Sequence, residues 1–245
     1  MTKIYFASDL HLGVPNKEKS LEREKRFVQW LDQIKQDATA LYLVGDVFDF
    51  WFEYKKAVPK GYVRLLGKLA EISDSGIPIH FFTGNHDMWV FDYLEQELNL
   101  KIYRNPIEIK LGQKIFFIGH GDGLGPNDKG YKFIKKIFSN KICQWLFARI
   151  HPNLGISIAQ YWSKKSRIAN GQKDDTFYGD NEWLSQFCKE KLKTSSIDYF
   201  VFGHRHLPLE IDLDMNSKYI NLGDWVNYNS YALFDGKRLS LKYYS

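Results

Sequence analysis

The sequence is poor in cysteine and has no long hydrophobic run. Cys143 and Cys188 are its only cysteines, and they form no metal-binding motif. This argues against a disulfide-stapled secreted domain and suits a reducing cytosol. No apolar run approaches the roughly 20 residues of a membrane-spanning helix. Because strand-like residues follow Met1 almost at once, we expect no signal peptide and a cytoplasmic location.

Acidic residues are missing from one long stretch. Residues 129–173 contain ten lysines and arginines and no aspartate or glutamate. This stretch carries a charge of +10, whereas the whole chain carries a net charge of +5. The rest of the chain therefore carries −5. A basic module of this kind usually faces an anionic partner, such as nucleic acid, phosphate or a lipid surface.

What the chain does contain is a set of apolar strands that end in potential metal ligands. Asp9 and His11 come after the apolar residues 4–7 and Ser8, and they are two positions apart. In an extended chain such residues point the same way, so we expect the two side chains to converge. A carboxylate oxygen and an imidazole nitrogen suit a divalent metal. The alternative is a polar pair that merely closes a strand.

The same pattern recurs along the chain. Continuous apolar strands are typical of a parallel sheet covered by helices, and such sheets place ligands at their carboxyl ends. Amphipathic helices are predicted at residues 20–36 and 62–73, and short strands near residues 210–243 are expected to complete a second sheet. The motifs, in chain order, are Asp9-x-His11, Gly45-Asp46, Gly84-Asn85-His86-Asp87, Gly119-His120 and Gly203-His204-x-His206.

These five motifs, in this order, resemble those of the calcineurin-like metallophosphoesterases and span most of the chain. The resemblance implies an α/β fold, a two-sheet α/β/β/α sandwich, that holds two divalent metal ions. The mixed oxygen and imidazole ligands suit Mn²⁺, with Mg²⁺, Fe²⁺ and Zn²⁺ as alternatives. The resemblance also implies that His86 protonates the leaving group or stabilises a phosphoryl oxygen, while Asp87 orients the His86 ring. The implied ligands are Asp9, His11, Asp46 and His206 for one metal, and Asp46, Asn85, His120 and His204 for the other.

Residues 124–181 are predicted to form a helical lid inserted within a single domain of residues 1–245. Apolar side chains recur there at helical spacing from Ile134 to Ile150, and a second helix is expected after Pro152. Helices that are apolar on one face and basic on the other are typical of interfacial elements, so we expect an anionic membrane surface as a partner. No nucleic acid is expected, because an aliphatic stripe suits its polar groove poorly. The alternative is an ordinary helical cap with a solvated basic face.

The predicted lid has Asp128 eight residues after His120, and Ser166, Asn170 and Lys173 in the pattern Ser-x-x-Ala-Asn-x-x-Lys. In these residues the chain resembles the UDP-2,3-diacylglucosamine pyrophosphatase family of lipid A synthesis. In that family, which is peripheral on the cytoplasmic face of the inner membrane, a helical lid follows the Gly-His-Gly-Asp motif. The resemblance implies hydrolysis of an amphiphilic nucleotide-lipid to UMP and 2,3-diacylglucosamine 1-phosphate, through attack of metal-activated water on the α-phosphorus. The implied substrate-binding residues are Asn85, His86, Asp128, Ser166, Asn170, Lys173 and His204.

The same resemblance gives two finer expectations and one departure. Acyl chains are expected on Phe133, Ile137, Phe138 and Trp145, and the aromatic residues 50–54 are expected beside the nucleotide. The departure is His86, since the best-known members of that family have arginine there. The chain is then either a divergent branch with the same substrate, or a phosphodiesterase, pyrophosphatase or nuclease that acts on another lipid or nucleotide phosphoester. A non-catalytic binding module would have lost metal ligands, and every ligand position is filled here.

Overall fold

The computed structural model describes residues 2–125, 129–174 and 176–245, apart from the side chains of residues 129–130, 164–174 and 180. Two sheets face each other, and helices cover their outer faces, which confirms the predicted α/β/β/α sandwich. The first sheet has, in spatial order, β11 (Leu239–Tyr243), β10 (Ser230–Phe234), β1 (Ile4–Ala7), β2 (Ala40–Val44), β3 (Ile79–Phe82) and β4 (Lys101–Tyr103). The second has β5 (Ile107–Leu111), β6 (Lys114–Ile118), β7 (Tyr199–Phe202), β9 (Lys218–Leu222) and β8 (Pro208–Asp212).

The placement of the last strands differs from the prediction. All four short C-terminal strands were expected in the second sheet, but only β8 and β9 lie there. β10 instead pairs antiparallel with β1, and β11 pairs with β10. Burial explains the choice, because Ala232 and Phe234 pack between the sheets while Tyr231 and Leu233 pack against the helices on the outer face. A strand covered on both faces belongs inside a sheet rather than at the rim of the other one.

Of the four helices in the outer layers, the first two were predicted from their amphipathic pattern and the other two were not. α1 (Lys17–Ile34), α2 (Val63–Asp74) and α3 (Tyr93–Leu98) cover the first sheet, and α7 (Trp183–Leu192) covers the second. α1 begins three residues before the predicted start because the side chain of Asn16 caps it, accepting a hydrogen bond from the Lys19 amide at 2.9 Å.

Two charged residues of α1 are buried and hold neighbouring segments. Arg23 donates to the carbonyl oxygens of Leu10 and His11 at 2.9 and 2.8 Å, which fixes the loop after β1. The Glu24 carboxylate accepts from the amides of Arg64 and Leu65 at 2.9 and 3.1 Å, which satisfies donors at the start of α2. The helix thereby ties the metal-binding loop to the core.

The inserted segment forms three helices rather than two. α4 (Lys129–Phe138) and α5 (Lys141–Phe147) are separated because Asn140 caps α5, accepting from the Ile142 and Cys143 amides at 2.8 and 3.2 Å. α6 (Pro152–Asp174) starts at a proline, which is favoured in the first helical turn. A 3₁₀ turn at Gly179–Asn181 leads back to α7. No helix in the described part of the chain has both the length and the apolar character to cross a membrane.

Candidate metal centre

The ends of neighbouring parallel strands bring the predicted ligands together. β1, β2 and β3 are parallel neighbours in the first sheet, and β6 and β7 are parallel neighbours in the second. The five motifs follow these strands at their carboxyl ends. All of the carboxylate, amide and imidazole side chains predicted as ligands therefore reach one edge of the sandwich, as expected for an open α/β sheet.

The convergence of Asp9 and His11 has a different cause from the one expected. β1 ends at Ala7, and both residues adopt left-handed backbone conformations, with φ of +54° and +43°. Asp46, His204 and His206 do the same, with φ of +52°, +67° and +55°. The side chains thus meet because tight loops turn them inward, and an alternating extended strand is the wrong explanation. Such conformations cost about 1–3 kcal/mol each and cluster at functional sites.

The first group of ligands contains Asp9, His11 and His206. Asp9 Oδ1 lies 3.5 Å from His11 Nε2 and 3.4 Å from His206 Nε2, and the two Nε2 atoms are 3.2 Å apart. This carboxylate oxygen is fully buried and receives no hydrogen bond from the described residues. A buried oxygen facing two imidazole nitrogens is a set of donors that a divalent cation would satisfy.

The second group contains Asp46, His120 and His204. His120 Nε2 lies 3.2 Å from Asp46 Oδ2 and 3.2 Å from Asn85 Oδ1, which places the amide oxygen of Asn85 among the ligands. Asp46 Oδ2 is also 3.7 Å from His11 Nε2. Asp46 therefore joins the two groups, which together we call the metal centre, and its position suits a shared ligand.

Three histidine rings are contacted at Nδ1 by neighbouring oxygen atoms. The Nδ1 atom of His120 donates to the carbonyl oxygen of Val44 at 2.9 Å. Nδ1 of His206 is 3.4 Å from Asp224, and Nδ1 of His11 is 3.5 Å from Asp49. These partners direct each Nε2 atom toward the metal centre, as is usual for metal-ligating histidines.

Asp224 was not predicted, although the sequence contains its signal. It follows β9 and Gly223, the same strand-glycine-aspartate pattern that marks Asp46. Its Oδ1 atom accepts from the Asn227 amide at 2.7 Å, which holds the carboxylate in place. Asp49, for which a supporting role and a solvated turn were both open, is buried and supports two rings.

The electrostatics of the metal centre favour added positive charge. Burial raises the pKa of Asp9, and the Asp46 charge adds to that effect against the opposing pull of His206 and His120. Burial also acts on Asp46, but the neighbouring imidazoles, His120 first, outweigh it and hold the Asp46 pKa well below its usual value. Burial and the neighbouring His120 lower the pKa of His204 to about 3, which keeps its ring neutral and able to act as a ligand. The residues present therefore fit divalent cations.

Two glycines of the motifs are needed for close approach. A Cβ atom on Gly45, whose φ is +84°, would collide with the ring of His120. A Cβ atom on Gly84 would collide with the carboxylate and backbone of Asp46. The Gly-Asp and Gly-Asn-His-Asp motifs thus contain glycine because their loops press against ligands.

Asp87 has a different role from the predicted one. Its buried carboxylate accepts hydrogen bonds from four backbone amides, those of Gly84 at 2.7 Å, Val47 at 2.8 Å, Asp46 at 3.3 Å and Phe48 at 3.4 Å. Burial and the nearby Asp46 raise the pKa of Asp87 to about 7. Asp87 therefore clamps together the loops after β2 and β3, which corrects the expectation that it orients the His86 ring.

The His86 ring is positioned by Asp49 and by a residue of the inserted segment. His86 Nδ1 lies 3.0 Å from the Asp49 carbonyl oxygen and 3.2 Å from Ser163 Oγ, and Ser163 donates to Asp49 Oδ2 at 2.8 Å. Because a carbonyl oxygen only accepts, Nδ1 carries the proton and Nε2 is left for a ligand or substrate. The ring also lies within one ligand group with His11 and Asp46. Nothing in the sequence around Ser163 signalled this contact.

An apolar cavity of about 340 Å³ opens beside His86 and Asn85, between the metal centre and the inserted helices. Of the four residues on which acyl chains are expected, Phe138 lines this cavity, and Phe133, Ile137 and Trp145 do not. Phe133 and Trp145 are 65% and 56% exposed, because they project from the outer face of α4 and α5. Most of the apolar walls come from seven residues: Phe50, Met88, Trp89, Ile134, Phe138, Phe147 and Trp162.

Phe50, Phe52 and Tyr54 form the floor under the inserted helices, whereas Trp51 packs in the core beside the first sheet. Phe50 lines the apolar cavity, and the ring of Phe52 packs 4.8 Å from that of Phe147. Trp89 Nε1 donates to the Phe138 carbonyl oxygen at 2.8 Å and anchors the end of α4. Phe50 and Trp89 therefore border the apolar cavity, and the expectation that the aromatic cluster lies beside a nucleotide stays a prediction.

The remaining predicted substrate-binding residues are only partly described. Asp128 lies outside the described residues. Ser166, Asn170 and Lys173 belong to α6, but their side chains lie outside the description. Asn85, His86 and His204 are all at the metal centre.

Sequence comparison defines the class to which this fold and site belong. Residues 2–208 match the family model described as calcineurin-like phosphoesterase, and the chain belongs to that family. It is a metal-dependent hydrolase. Among named relatives, the chain is 40% identical to UDP-2,3-diacylglucosamine hydrolase of Porphyromonas gingivalis, over 98% of this chain and 97% of that protein. It is 29% identical to the protein of the same name from Shewanella sp. strain W3-18-1, over 92% and 90%.

The similar solved structures are more distant in sequence. Yfce, a phosphoesterase from E. coli, is 18% identical with a TM-score of 0.48, and the match covers 98% of this chain and 91% of that one. Vacuolar protein sorting 29 from Cryptosporidium parvum is 13% identical with a TM-score of 0.47, covering 100% and 98%.

Proposed function

We propose that this protein hydrolyses the pyrophosphate bond of UDP-2,3-diacylglucosamine, a step of lipid A synthesis, to give UMP and 2,3-diacylglucosamine 1-phosphate. The observation that supports this proposal most strongly is the apolar cavity, which opens directly onto the metal centre at Asn85 and His86. A site that cleaves phosphoesters beside an apolar cavity suits a substrate with acyl chains next to its phosphates. The names of the relatives in Porphyromonas and Shewanella support the same reaction.

The metal centre is proposed to hold two divalent ions, with Mn²⁺ as the preferred metal. Asp9, His11, Asp46 and His206 would hold one ion, and Asp46, Asn85, His120 and His204 the other. When bound, such ions polarise phosphoryl oxygens and make water nucleophilic at neutral pH. Attack is proposed at the α-phosphorus, so that the oxygen from water ends in UMP.

His86 is proposed to act on the substrate from the side of the apolar cavity. Its Nδ1 hydrogen is engaged by the Asp49 carbonyl oxygen, so Nε2 is the ring atom that can reach a phosphoryl oxygen or the leaving group. Its backbone amide donates to Asp46 Oδ1 at 2.8 Å, which ties its position to that of the shared ligand. Histidine thus has the contacts to replace the arginine of the best-known relatives.

The inserted helices are proposed to form the lid that selects the substrate. Phe138 and Trp162 would contact the acyl chains within the apolar cavity. Asp128 and Asn170 are proposed to contact the sugar, Lys173 a phosphate, and Ser166 the glucosamine phosphate region. This division leaves the phosphates at the metal centre and the lipid under the helices.

The outer face of the inserted helices is proposed to bind an anionic membrane surface. Ile142, Trp145 and Leu146 of α5 are 69%, 56% and 55% exposed. Lys141 and Arg149 flank them, and the Arg149 guanidinium lies 4.6 Å from the Trp145 ring centroid. Exposed apolar side chains with neighbouring cations suit peripheral binding to anionic lipid, at the cytoplasmic face of the inner membrane.

The reaction is tested by measuring UMP release from UDP-2,3-diacylglucosamine in detergent with Mn²⁺. We expect release from the unmodified chain and none from Asp46→Asn, which removes the shared ligand charge. Asp74→Asn, a substitution of an exposed carboxylate on α2, is the matched control and should leave release unchanged. If the chain binds metal and cleaves an aryl phosphodiester but releases no UMP, the substrate assignment is wrong.

A further inference from the structure

A second cavity, of about 200 Å³, reaches the metal centre from another direction. It is lined by His120 and Gly121, whereas the apolar cavity reaches the centre at Asn85 and His86. Its other walls come from the end of β3, the residues after β4 and the first turns of α4. Lys135 of α4 lines both cavities, so the two spaces meet near this residue.

The lining of the second cavity is polar and basic, in contrast to the first. Arg104, Lys132 and Lys135 contribute three cationic side chains. The one acidic lining residue within the described part of the chain, Asp122, is already paired, because Lys135 Nζ and Tyr131 Oη lie 2.5 and 2.6 Å from its Oδ2 atom. The cavity therefore presents net positive charge and suits an anionic or strongly polar group.

One wall of the second cavity is aromatic and is flanked by hydrogen-bonding groups. The rings of Phe82 and Tyr103 are stacked, with centroids 4.7 Å apart and planes inclined by 15°. Tyr103 is fixed by a 3.0 Å contact between its hydroxyl group and His80 Nδ1. Thr83 and Asn105 line the same space. Aromatic surface with a hydroxyl and an amide nearby provides what a nucleobase and a ribose need.

We propose that this second cavity binds the nucleoside monophosphate half of the substrate. The inference rests on the proposed function, in which the bond between two phosphates is cut at the metal centre. The acyl chains then occupy the apolar cavity, and the polar half must leave the centre by another route. The cavity at His120 and Arg104 has the charge and the polar groups for that half, and Lys135 lies where the two halves join.

The test is calorimetric binding of each product to the full chain loaded with Mn²⁺. UMP is one probe, and 2,3-diacylglucosamine 1-phosphate in detergent is the other. Arg104→Ala removes a cation from the cavity, and Asn105→Trp adds a large ring at an exposed lining position that is not one of the proposed metal ligands. Lys110→Ala, an exposed cation on β5, is the matched control. Two variants are used because Arg104 also donates to the Val90 and Phe91 carbonyl oxygens, and its loss could disturb that loop.

We expect Arg104→Ala to raise the Kd for UMP about tenfold, which is the loss of one charge-assisted contact, and Asn105→Trp to raise it about tenfold or more by occupying the space that UMP needs. The Kd for the lipid phosphate should stay constant, and Lys110→Ala should change neither. Unchanged UMP binding in both variants, or a loss confined to the lipid phosphate, would overturn the assignment. If the chain binds UMP in this way but releases none from UDP-2,3-diacylglucosamine, the proposed reaction fails while the cavity assignment stands.

Discussion

The metal centre and the inserted helices are built by opposite means. At the metal centre, Asp9, Asp46 and His120 are almost fully buried, and each is held by backbone amides or carbonyls of neighbouring strand ends. The inserted helices contact the core mainly through aromatic packing and leave large apolar side chains exposed. The difference suits the proposed division of work, in which a buried centre performs the chemistry and the inserted helices choose the substrate and the surface.

The largest effect is expected from weakening the hydrogen bonds by which Asp87 joins the loops after β2 and β3. Asp87→Asn would place an amide NH₂ against four backbone N–H donors, leaving buried donors unsatisfied at a cost of about 3 kcal/mol. The melting temperature should fall, and activity should drop by about 1,000-fold if several kcal/mol of metal stabilisation are lost with it. Calorimetry and UMP release measure both changes. A variant with normal activity would show that the clamp is not needed for the chemistry.

A smaller effect is expected from substituting Asp224, whose carboxylate lies 3.4 Å from His206 Nδ1. Asp224→Asn should lower metal affinity about 10–100-fold, because it weakens the support of one ligand ring without removing a ligand. Titration of the metal-free chain with Mn²⁺ measures this directly. Asp212→Asn changes a carboxylate that is 79% exposed and should bind metal normally. Equal affinities for the two variants would refute the supporting role of Asp224.

The contact between the two regions can be tested at Ser163. Ser163→Ala removes the hydroxyl that touches both Asp49 and His86, so kcat should fall about tenfold with KM and metal content unchanged. Ser157→Ala is the matched control, because Ser157 is exposed on the same helix and donates only to the Asn153 carbonyl oxygen. A change in KM alone would mean that Ser163 shapes the apolar cavity and does not position His86.

The smallest effect is expected at the outer surface of the inserted helices. Trp145→Ser should weaken binding to anionic vesicles several-fold, about 1 kcal/mol for a partly inserted side chain, and leave hydrolysis in detergent unchanged. Met215→Ser, which alters a fully exposed residue between β8 and β9, should not affect vesicle binding. Sedimentation with vesicles at two salt concentrations separates the apolar and electrostatic parts. Vesicle binding that is indifferent to both salt and Trp145 would contradict the proposed surface.

The same contrast explains what the sequence could predict. The strand ends and their ligands were predictable, because apolar strands followed by glycine and a ligand residue place chemistry at one sheet edge. The role of Asp87 was not, because its partners are backbone amides from a different loop, and these depend on tertiary packing. Ser163 and the break at Asn140 were missed for a similar reason, since a single hydroxyl or amide decides a contact that helical periodicity does not show. Helical spacing also failed to tell which apolar residues face the cavity, as Phe138 does, and which face outward, as Phe133 does.

The division of work is tested most directly by the preference for acylated substrate. The measurement is kcat/KM for UDP-2,3-diacylglucosamine and for its deacylated counterpart, in Trp162→Ala and in Tyr161→Ala. Trp162 and its neighbour Tyr161 are 53% and 64% exposed, but only Trp162 lines the apolar cavity. We expect Trp162→Ala to lower kcat/KM about tenfold or more for the acylated substrate only, through lost apolar burial, and Tyr161→Ala to change neither value. An equal loss for both substrates in Trp162→Ala, or no preference for acyl chains in the unmodified chain, would contradict the account.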